Sequence, residues 1–184
     1  MKKILVAVSG GVDSVVLLDF LVEKFCKEKG EAWTQKNLIV AHFEHGIRGE
    51  ESKRDLKFVE ELAAKYGVRF EFKNGNLGEN SSEEQARNAR YTFLRKIAKR
   101  ENAIIFTAHH KNDLAETFAL NLARGGGWRA VACFDSLDIE RPFLRFSKSE
   151  ILKMAKQRGL DWREDSTNFS QKYTRNRIRK SVKF

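Results

Sequence analysis

The sequence predicts an α/β protein: a doubly wound parallel sheet with helices on both faces and a short basic helical tail. Three observations carry that prediction. Apolar runs of strand length alternate with longer segments whose apolar residues recur at helical spacing. The strand-like runs are continuously apolar, as strands covered on both faces are. Clusters of polar, chemistry-bearing residues come just after strands, where open parallel sheets bind ligands near a topological switch point.

In chain order, Lys3–Val8 reads as a buried strand, and Asp13–Lys29 as a helix with Val16, Leu17, Phe20 and Leu21 on one face. Leu38–His42 is a second strand, and Glu51–Tyr66 a helix carrying Leu56, Val59, Leu62 and Ala63. Val68–Phe72 is a third, partly alternating strand. Ser82–Arg100 is a helix for which Ser81 or Ser82 is the candidate N-cap, ahead of Glu83 and Glu84. Ala103–Ala108 is a fourth strand followed by a helix over Asp113–Arg124. A β-like run over Ala130–Ile139 precedes Pro142, the only proline. Ser147–Arg158 is a helix, and Arg175–Lys183 closes the chain as a basic helical turn.

The first polar cluster is Ser9-Gly10-Gly11-Val12-Asp13-Ser14. Two glycines let main-chain N–H groups approach an anion, two serines add hydroxyls, and the following helix presents its positive end. A Gly-Gly turn alone would be only a tight connection; the serines and the aspartate after a buried strand point to phosphate. Asp13 would repel that phosphate unless a cation such as Mg²⁺ came between them. A lysine of the Walker kind is missing from the loop.

The second cluster runs from Thr107 to Thr117. Asp113 and Glu116 stand three apart at a helix start, which is either a capping-box-like pattern or a pair facing one cleft. Glu116 and Asp13 each open a helix after a strand and could share a cation. His109 and His110 could donate to phosphate or exchange protons, but adjacent histidines point apart and suit one zinc poorly. Arg87 and Arg90 lie one turn apart and read equally as solvated surface or as a guanidinium pair for phosphate. His45 and Arg48 sit on a glycine-bearing loop after a strand, where substrate contacts form. Trp162 and Tyr173 could stack on bases or serve packing.

Composition narrows the class. The chain of 184 residues is large enough for one domain with a real core. It has no apolar run of membrane-spanning length and no signal-peptide pattern, so no membrane partner is expected. Cys26 and Cys133 form no CxxC, which indicates neither a disulfide framework nor a zinc or iron–sulfur site, and a reducing cytoplasm is expected. The formal net charge of +10 is concentrated at one end. Met1–Glu140 carries 22 Lys/Arg against 21 Asp/Glu, whereas Arg141–Phe184 carries 13 against 4. A neutral domain with so basic an end suits a polyanion, nucleic acid above all.

The loop SGGVDS resembles the signature of PP-loop ATP pyrophosphatases, a Rossmann-like superfamily. HFEHGIRGEES, ARNARY, TAHHKNDLAET, RGGG, RPFL, EDSTN and RNRIR follow in the order found in its tRNA(Ile)-lysidine synthases, over nearly the whole of Lys3–Lys180. The resemblance implies an ATP-binding catalytic domain over residues 1–145 and a basic helical extension over 146–184. It implies that ATP and Mg²⁺ activate the C2 oxygen of the wobble cytidine in a tRNA(Ile) with a CAU anticodon, and that free L-lysine then displaces AMP. Such enzymes break the α–β bond of ATP, so no lysine need face the γ-phosphate. Carried over residue by residue, Ser9, Gly10, Gly11, Val12, Asp13 and Ser14 bind the nucleotide, and Ala41 lies near adenine. Asp13 and Glu116 hold Mg²⁺, and Asp13, Arg87, Arg90, His109, His110 and Asp113 act on substrate or transition state. His45, Arg48, Arg124, Arg175, Arg177, Arg179 and Lys180 lie toward tRNA or lysine.

The chain departs from the family pattern at Glu44, where Asn is usual, at Asn112 for Asp, and at Leu114 for Gln. After Gly127 the expected Gly-Leu-x-Gly is replaced by Trp128–Phe134. The chain stops soon after RNRIR, as a short natural form, a fragment or a degenerate copy would. A homodimer is left open. The alternatives are another PP-loop enzyme, tRNA-modifying or amide-forming, and a nucleotide- or RNA-binding module without turnover. Neutralising Arg175, Arg177 and Arg179 together should weaken RNA binding and reduce the slope of log affinity against log salt by about 2 to 3. An unchanged slope in a filter-binding titration would make the tail ordinary surface.

Overall fold

The computed structural model describes residues 2–44, 50–77, 81–123, 125, 136 and 138–164. Its elements are β1 (Lys3–Ala7), α1 (Val12–Lys29), α2 (Glu31–Asn37), β2 (Leu38–Glu44), α3 (Glu50–Lys65) and β3 (Arg69–Asn74). They continue with α4 (Glu83–Glu101), β4 (Ala103–Phe106), α5 (Lys111–Ala123), β5 (Ile139–Glu140), a 3₁₀ turn over Pro142–Arg145 and α6 (Lys148–Gln157). Most of the expected Ala130–Ile139 strand and all of the Arg175–Lys183 turn lie outside the described residues.

Among the described residues all strand pairings are parallel, in the order β3-β2-β1-β4-β5. The doubly wound sheet expected from the sequence is therefore present. Successive side chains of β1 and β2 go to opposite faces, as the two-residue period of a strand requires. Ile4, Val6, Leu38 and Val40 join a core with Val15–Leu18 of α1, Val59 and Leu62 of α3, and Phe143, Ile151 and Ala155. Leu5, Ile39, Ala41 and Phe43 join a second core with Tyr91, Phe93, Leu94 and Ile97 of α4. Burial on both faces is why these strands carry no polar alternation.

Two local differences from the sequence reading have clear causes, and one expected helix cap is present. Gly30, at φ +88°, ends α1, but the chain turns at once into α2, whose Trp33 packs its ring 5.8 Å from Phe25. α4 starts after Ser82, one of the two candidate N-caps, in a capping box with Gln85. α5 starts two residues before Asp113 because His110, not Asp113, opens it. Trp162 packs against the first core.

His42 ties the carboxyl ends of the two central strands together. Its ring is buried, and Nδ1–H donates to the carbonyl of Val8 at 2.8 Å. Burial pushes its pKa below the ordinary value of 6.5. The unfolded chain then binds a proton here that the folded chain refuses. Stability from this group is complete above about pH 6.5 and is lost as pH falls below it. His42→Asn keeps an N–H donor that does not titrate, so its unfolding free energy should fall less steeply than the parent's between pH 7 and 5. Parallel denaturant-unfolding curves across that range would contradict this.

Candidate active site

The order of the sheet creates the site. β1 pairs with β2 on one side and β4 on the other, so the connections after β1 and β4 leave in opposite directions and open a crevice between them. Ser9–Ser14 follows β1, and His109–Glu116 follows β4. The polar clusters expected at strand ends are thus brought side by side.

The loop after β1 is knit by its own serines. Gly10 has φ +94°, a conformation that L side chains rarely adopt. Ser14 donates its hydroxyl to the Gly11 carbonyl at 2.9 Å and accepts from the Ser9 backbone N–H at 3.2 Å. The Ser9 and Ser14 hydroxyls are 3.3 Å apart, and Ser9 Oγ accepts from Gly11 N–H at 3.4 Å. The Gly10 carbonyl is taken by Arg163 N–H at 2.9 Å, which draws the start of the basic segment alongside the loop. Val12 is buried against the first core and fixes where α1 begins.

Across the crevice, His110 and Asp113 cap α5 reciprocally. His110 N–H donates to Asp113 Oδ2 at 3.0 Å, and Asp113 N–H donates to His110 Nδ1 at 3.4 Å. With Nδ1 accepting, the neutral ring carries its proton on Nε2. That nitrogen lies 3.5 Å from Asp113 Oδ2 and 3.9 Å from Asp13 Oδ2. His110 is only 3% exposed, so it is an internal bridge between the two carboxylates. His109 turns away, its Nδ1 2.9 Å from Thr107 Oγ1, in keeping with the expectation that the pair points apart. Glu116 stands one helical turn beyond Asp113 and is 4% exposed.

Asp13 has a partner that the motif reading missed. Lys148 Nζ donates to both Asp13 oxygens at 2.7 Å, across 135 residues of chain. Lys148 is the first residue of α6, and its own N–H donates to Asn112 Oδ1 at 2.9 Å. A second bond, Lys111 N–H to the Phe146 carbonyl at 2.9 Å, fastens the same junction. The one sequence signal was a lysine in the first turn of a helix, where a positive charge opposes the macrodipole.

The remaining candidates sit elsewhere. Arg87 and Arg90 stack on Tyr91, with guanidinium carbons 5.3 and 5.4 Å from the ring centre. Arg87 lines an open cavity of about 300 Å³ with Tyr91, Arg95, Ser136 and Arg141, which shares no residue with the loop. Ala41 is buried in the second core, and its carbonyl accepts from Val8 N–H at 2.9 Å. His45, Arg48, Arg124, Arg175, Arg177, Arg179 and Lys180 lie outside the described residues.

Among the described residues no three His, Cys, Asp or Glu side chains gather to hold a metal ion. Asp13 has both oxygens on an ammonium, so a divalent cation would have to take it from Lys148 and bring other ligands with it. That fits Mg²⁺, which ordinarily binds through one or two carboxylates plus substrate phosphates and water. Asp13 offers one such carboxylate at the crevice. Among the described residues no helix is long and apolar enough to cross a membrane.

A parallel sheet with a glycine–serine loop at its switch point defines an α/β domain of the kind that receives phosphate-bearing ligands. Residues 1–183 match the family described as a PP-loop domain, and the chain belongs to that family. The tRNA(Ile)-lysidine synthase of Thermotoga maritima is 40% identical over 190 residues, covering 98% of this chain and 44% of its own length. That of Thermosipho africanus is 41% identical over 189 residues (98% and 43%), and that of Wolbachia pipientis 38% over 196 (99% and 43%). The chain therefore spans less than half the length of these curated relatives. Among solved structures, the U34-tRNA thiolase NcsA from Methanococcus maripaludis, with its [4Fe-4S] cluster, superposes with a TM-score of 0.78. It is 18% identical, with 96% of this chain and 62% of that one covered, a likeness of fold.

Proposed function

We propose that this domain carries out the ATP-dependent joining of free lysine to C2 of the wobble cytidine in a CAU-anticodon tRNA(Ile). The observation that carries the reading is the meeting of Asp13, His110, Asp113 and Lys148 beside the glycine–serine loop. The relatives named tRNA(Ile)-lysidine synthase, at 38–41% identity across this domain, supply the choice of substrates. In the first step the cytidine C2 oxygen bonds to the α-phosphorus of ATP, and the bond to the leaving pyrophosphate breaks. In the second, the amine of lysine bonds to C2, AMP leaves with the oxygen, and the amine gives up a proton.

The chain's own groups divide this work. Backbone N–H groups of Gly10–Ser14 and the first turn of α1 receive the pyrophosphate portion. Asp13 and Glu116 would hold Mg²⁺, which supplies charge neutralisation on the phosphates. His110 Nε2 and Asp113 stand where a proton can be held between two carboxylates. Arg87 and Arg90, with the residues of the basic tail, would face the tRNA phosphates or the lysine carboxylate. A cytoplasmic setting suits such a reaction.

The thiolase fold likeness raises the reading of another PP-loop tRNA enzyme. Cys26 argues against sulfur chemistry by its thiol, because it lies fourteen residues beyond the first residue of α1, about 20 Å along the helix. Cys133 is outside the described residues.

Product analysis tests the proposal. The chain is incubated with Mg²⁺, α-labelled ATP, a tRNA(Ile) transcript with a CAU anticodon and lysine, each omitted in turn. AMP release that requires both tRNA and lysine, with the lysine mass at the wobble cytidine, is expected. Asp13→Ala should lower that release by about 100-fold or more without unfolding the chain. ATP binding without AMP release under any condition would instead make this chain a binding module. AMP release with a different transferred group would make it another PP-loop enzyme.

A further inference from the structure

Three arginines of α4 meet at one tyrosine, beside a cavity that shares no residue with the glycine–serine loop. The guanidinium carbons of Arg87, Arg90 and Arg95 lie 5.3, 5.4 and 5.8 Å from the centre of the Tyr91 ring. Arg87, Tyr91 and Arg95 wall the open cavity of about 300 Å³ together with Ser136 and Arg141, which stand on either side of β5. We propose that this cavity receives a backbone phosphate of the RNA chain, with Arg87, Arg141 and the Tyr91 hydroxyl as its donors. The proposal rests on the tRNA reading given above and adds to it a place where the strand is held.

Four observations support it. The first is charge. Three arginines line the cavity, and no aspartate or glutamate does. Arg95 is offset by Asp138, whose Oδ2 accepts from Nε at 2.6 Å, whereas Arg87 has no carboxylate partner among the described residues. Cations gathered around one ring repel one another, and an anion between them relieves that repulsion. An amino acid would also bring an ammonium, for which the lining has no acid; a phosphodiester brings only negative charge. The second observation is the Tyr91 hydroxyl. Tyr91 is 7% exposed, and its hydroxyl is buried with no hydrogen-bond partner among the described residues. A buried hydroxyl left unpaired costs folding free energy that phenylalanine would not. Packing and the stacked arginines therefore account for an aromatic ring here but not for its oxygen. A phosphate oxygen in the cavity supplies the acceptor.

The third observation is that Arg141 is held in place. Its Nη2 donates to Ser136 Oγ at 2.8 Å and its Nη1 to the Ile139 carbonyl at 3.2 Å. A guanidinium so fixed receives an anion with little further loss of side-chain freedom. The fourth is position. β5 pairs with β4, and Thr107 N–H donates to the Glu140 carbonyl at 3.0 Å, so Arg141 leaves the sheet beside the start of the His109–Glu116 segment. Neighbouring strands stand about 4.8 Å apart, which puts β5 roughly 10 Å from β1. The cavity lies on the face of the sheet that α4 covers, whereas α1 and α6, which carry Asp13 and Lys148, pack on the other. A nucleotide at the glycine–serine loop and an RNA strand on the α4 side thus approach the crevice from opposite faces.

The test is filter binding of a tRNA(Ile) transcript with a CAU anticodon to the full chain across a salt series, alongside calorimetry with ATP and with free lysine. Tyr91→Phe should weaken RNA binding about 10-fold and leave the slope of log affinity against log salt unchanged, because a hydroxyl releases no counterion. Its thermal midpoint should be no lower than the parent's, and its ATP affinity the same. Arg87→Gln should weaken RNA binding about 10-fold and lower the salt slope by about 1. Parental RNA affinity in Tyr91→Phe would overturn the proposal. So would a loss shared equally by RNA and ATP, which marks a folding defect, or an Arg87→Gln slope equal to the parent's. Loss of lysine binding by Arg87→Gln at parental RNA affinity would overturn it as well and give the cavity to a small carboxylate. If the parent binds no tRNA at any salt, the RNA reading itself falls and takes this proposal with it. A parent that binds tRNA beside indifferent Tyr91→Phe and Arg87→Gln removes the cavity alone.

Discussion

The site depends on β1 being hydrogen-bonded along both edges. With β2 on one side and β4 on the other, the chain must leave these central strands toward opposite faces, and a crevice forms at their carboxyl ends. Whatever follows β1 and β4 in sequence is placed at that crevice. In this chain those segments are the glycine–serine loop and the His-His segment ending in Glu116. Burial of Leu5 and Val6 on opposite faces of β1 holds the geometry, so sheet packing and site assembly are one constraint.

Charge is arranged at this crevice in pairs. Asp13 meets Lys148, and His110 bridges Asp13 and Asp113. The result is a nearly balanced cluster at the starts of α1, α5 and α6. Helix starts favour anions, so the carboxylates sit comfortably there and an incoming polyphosphate would as well. Lys111 and Lys148, each the first residue of its helix, are placed against the dipole.

The parts of this arrangement that sequence could foretell are those governed by local rules. Continuous apolarity at Lys3–Val8 and Leu38–His42 identified strands buried on both faces, and Ser9–Ser14 stood out because glycine, serine and aspartate there have little use in a buried connection. Helix α2 escaped because Gly30 reads as a terminator, and seven residues carry too little periodicity to show their one packed aromatic. A sequence pattern opens this helix at Asp113 because histidine is not an obvious N-cap, whereas in the structure the ring nitrogen of His110 plays that part. Lys148 was invisible for a different reason. Its partner is 135 residues away, and no spacing rule joins an α6 residue to a loop after β1. Long-range electrostatic pairing is set by topology, which a linear pattern does not encode.

The most direct test of this account is the structure of the chain with Mg²⁺ and a non-hydrolysable ATP analogue. The account predicts β- and γ-phosphates against the backbone of Gly10–Ser14 and Mg²⁺ on Asp13. A nucleotide whose phosphates lie instead among Arg87, Arg95 and Arg141, with the Asp13–Lys148 pair intact, would contradict it.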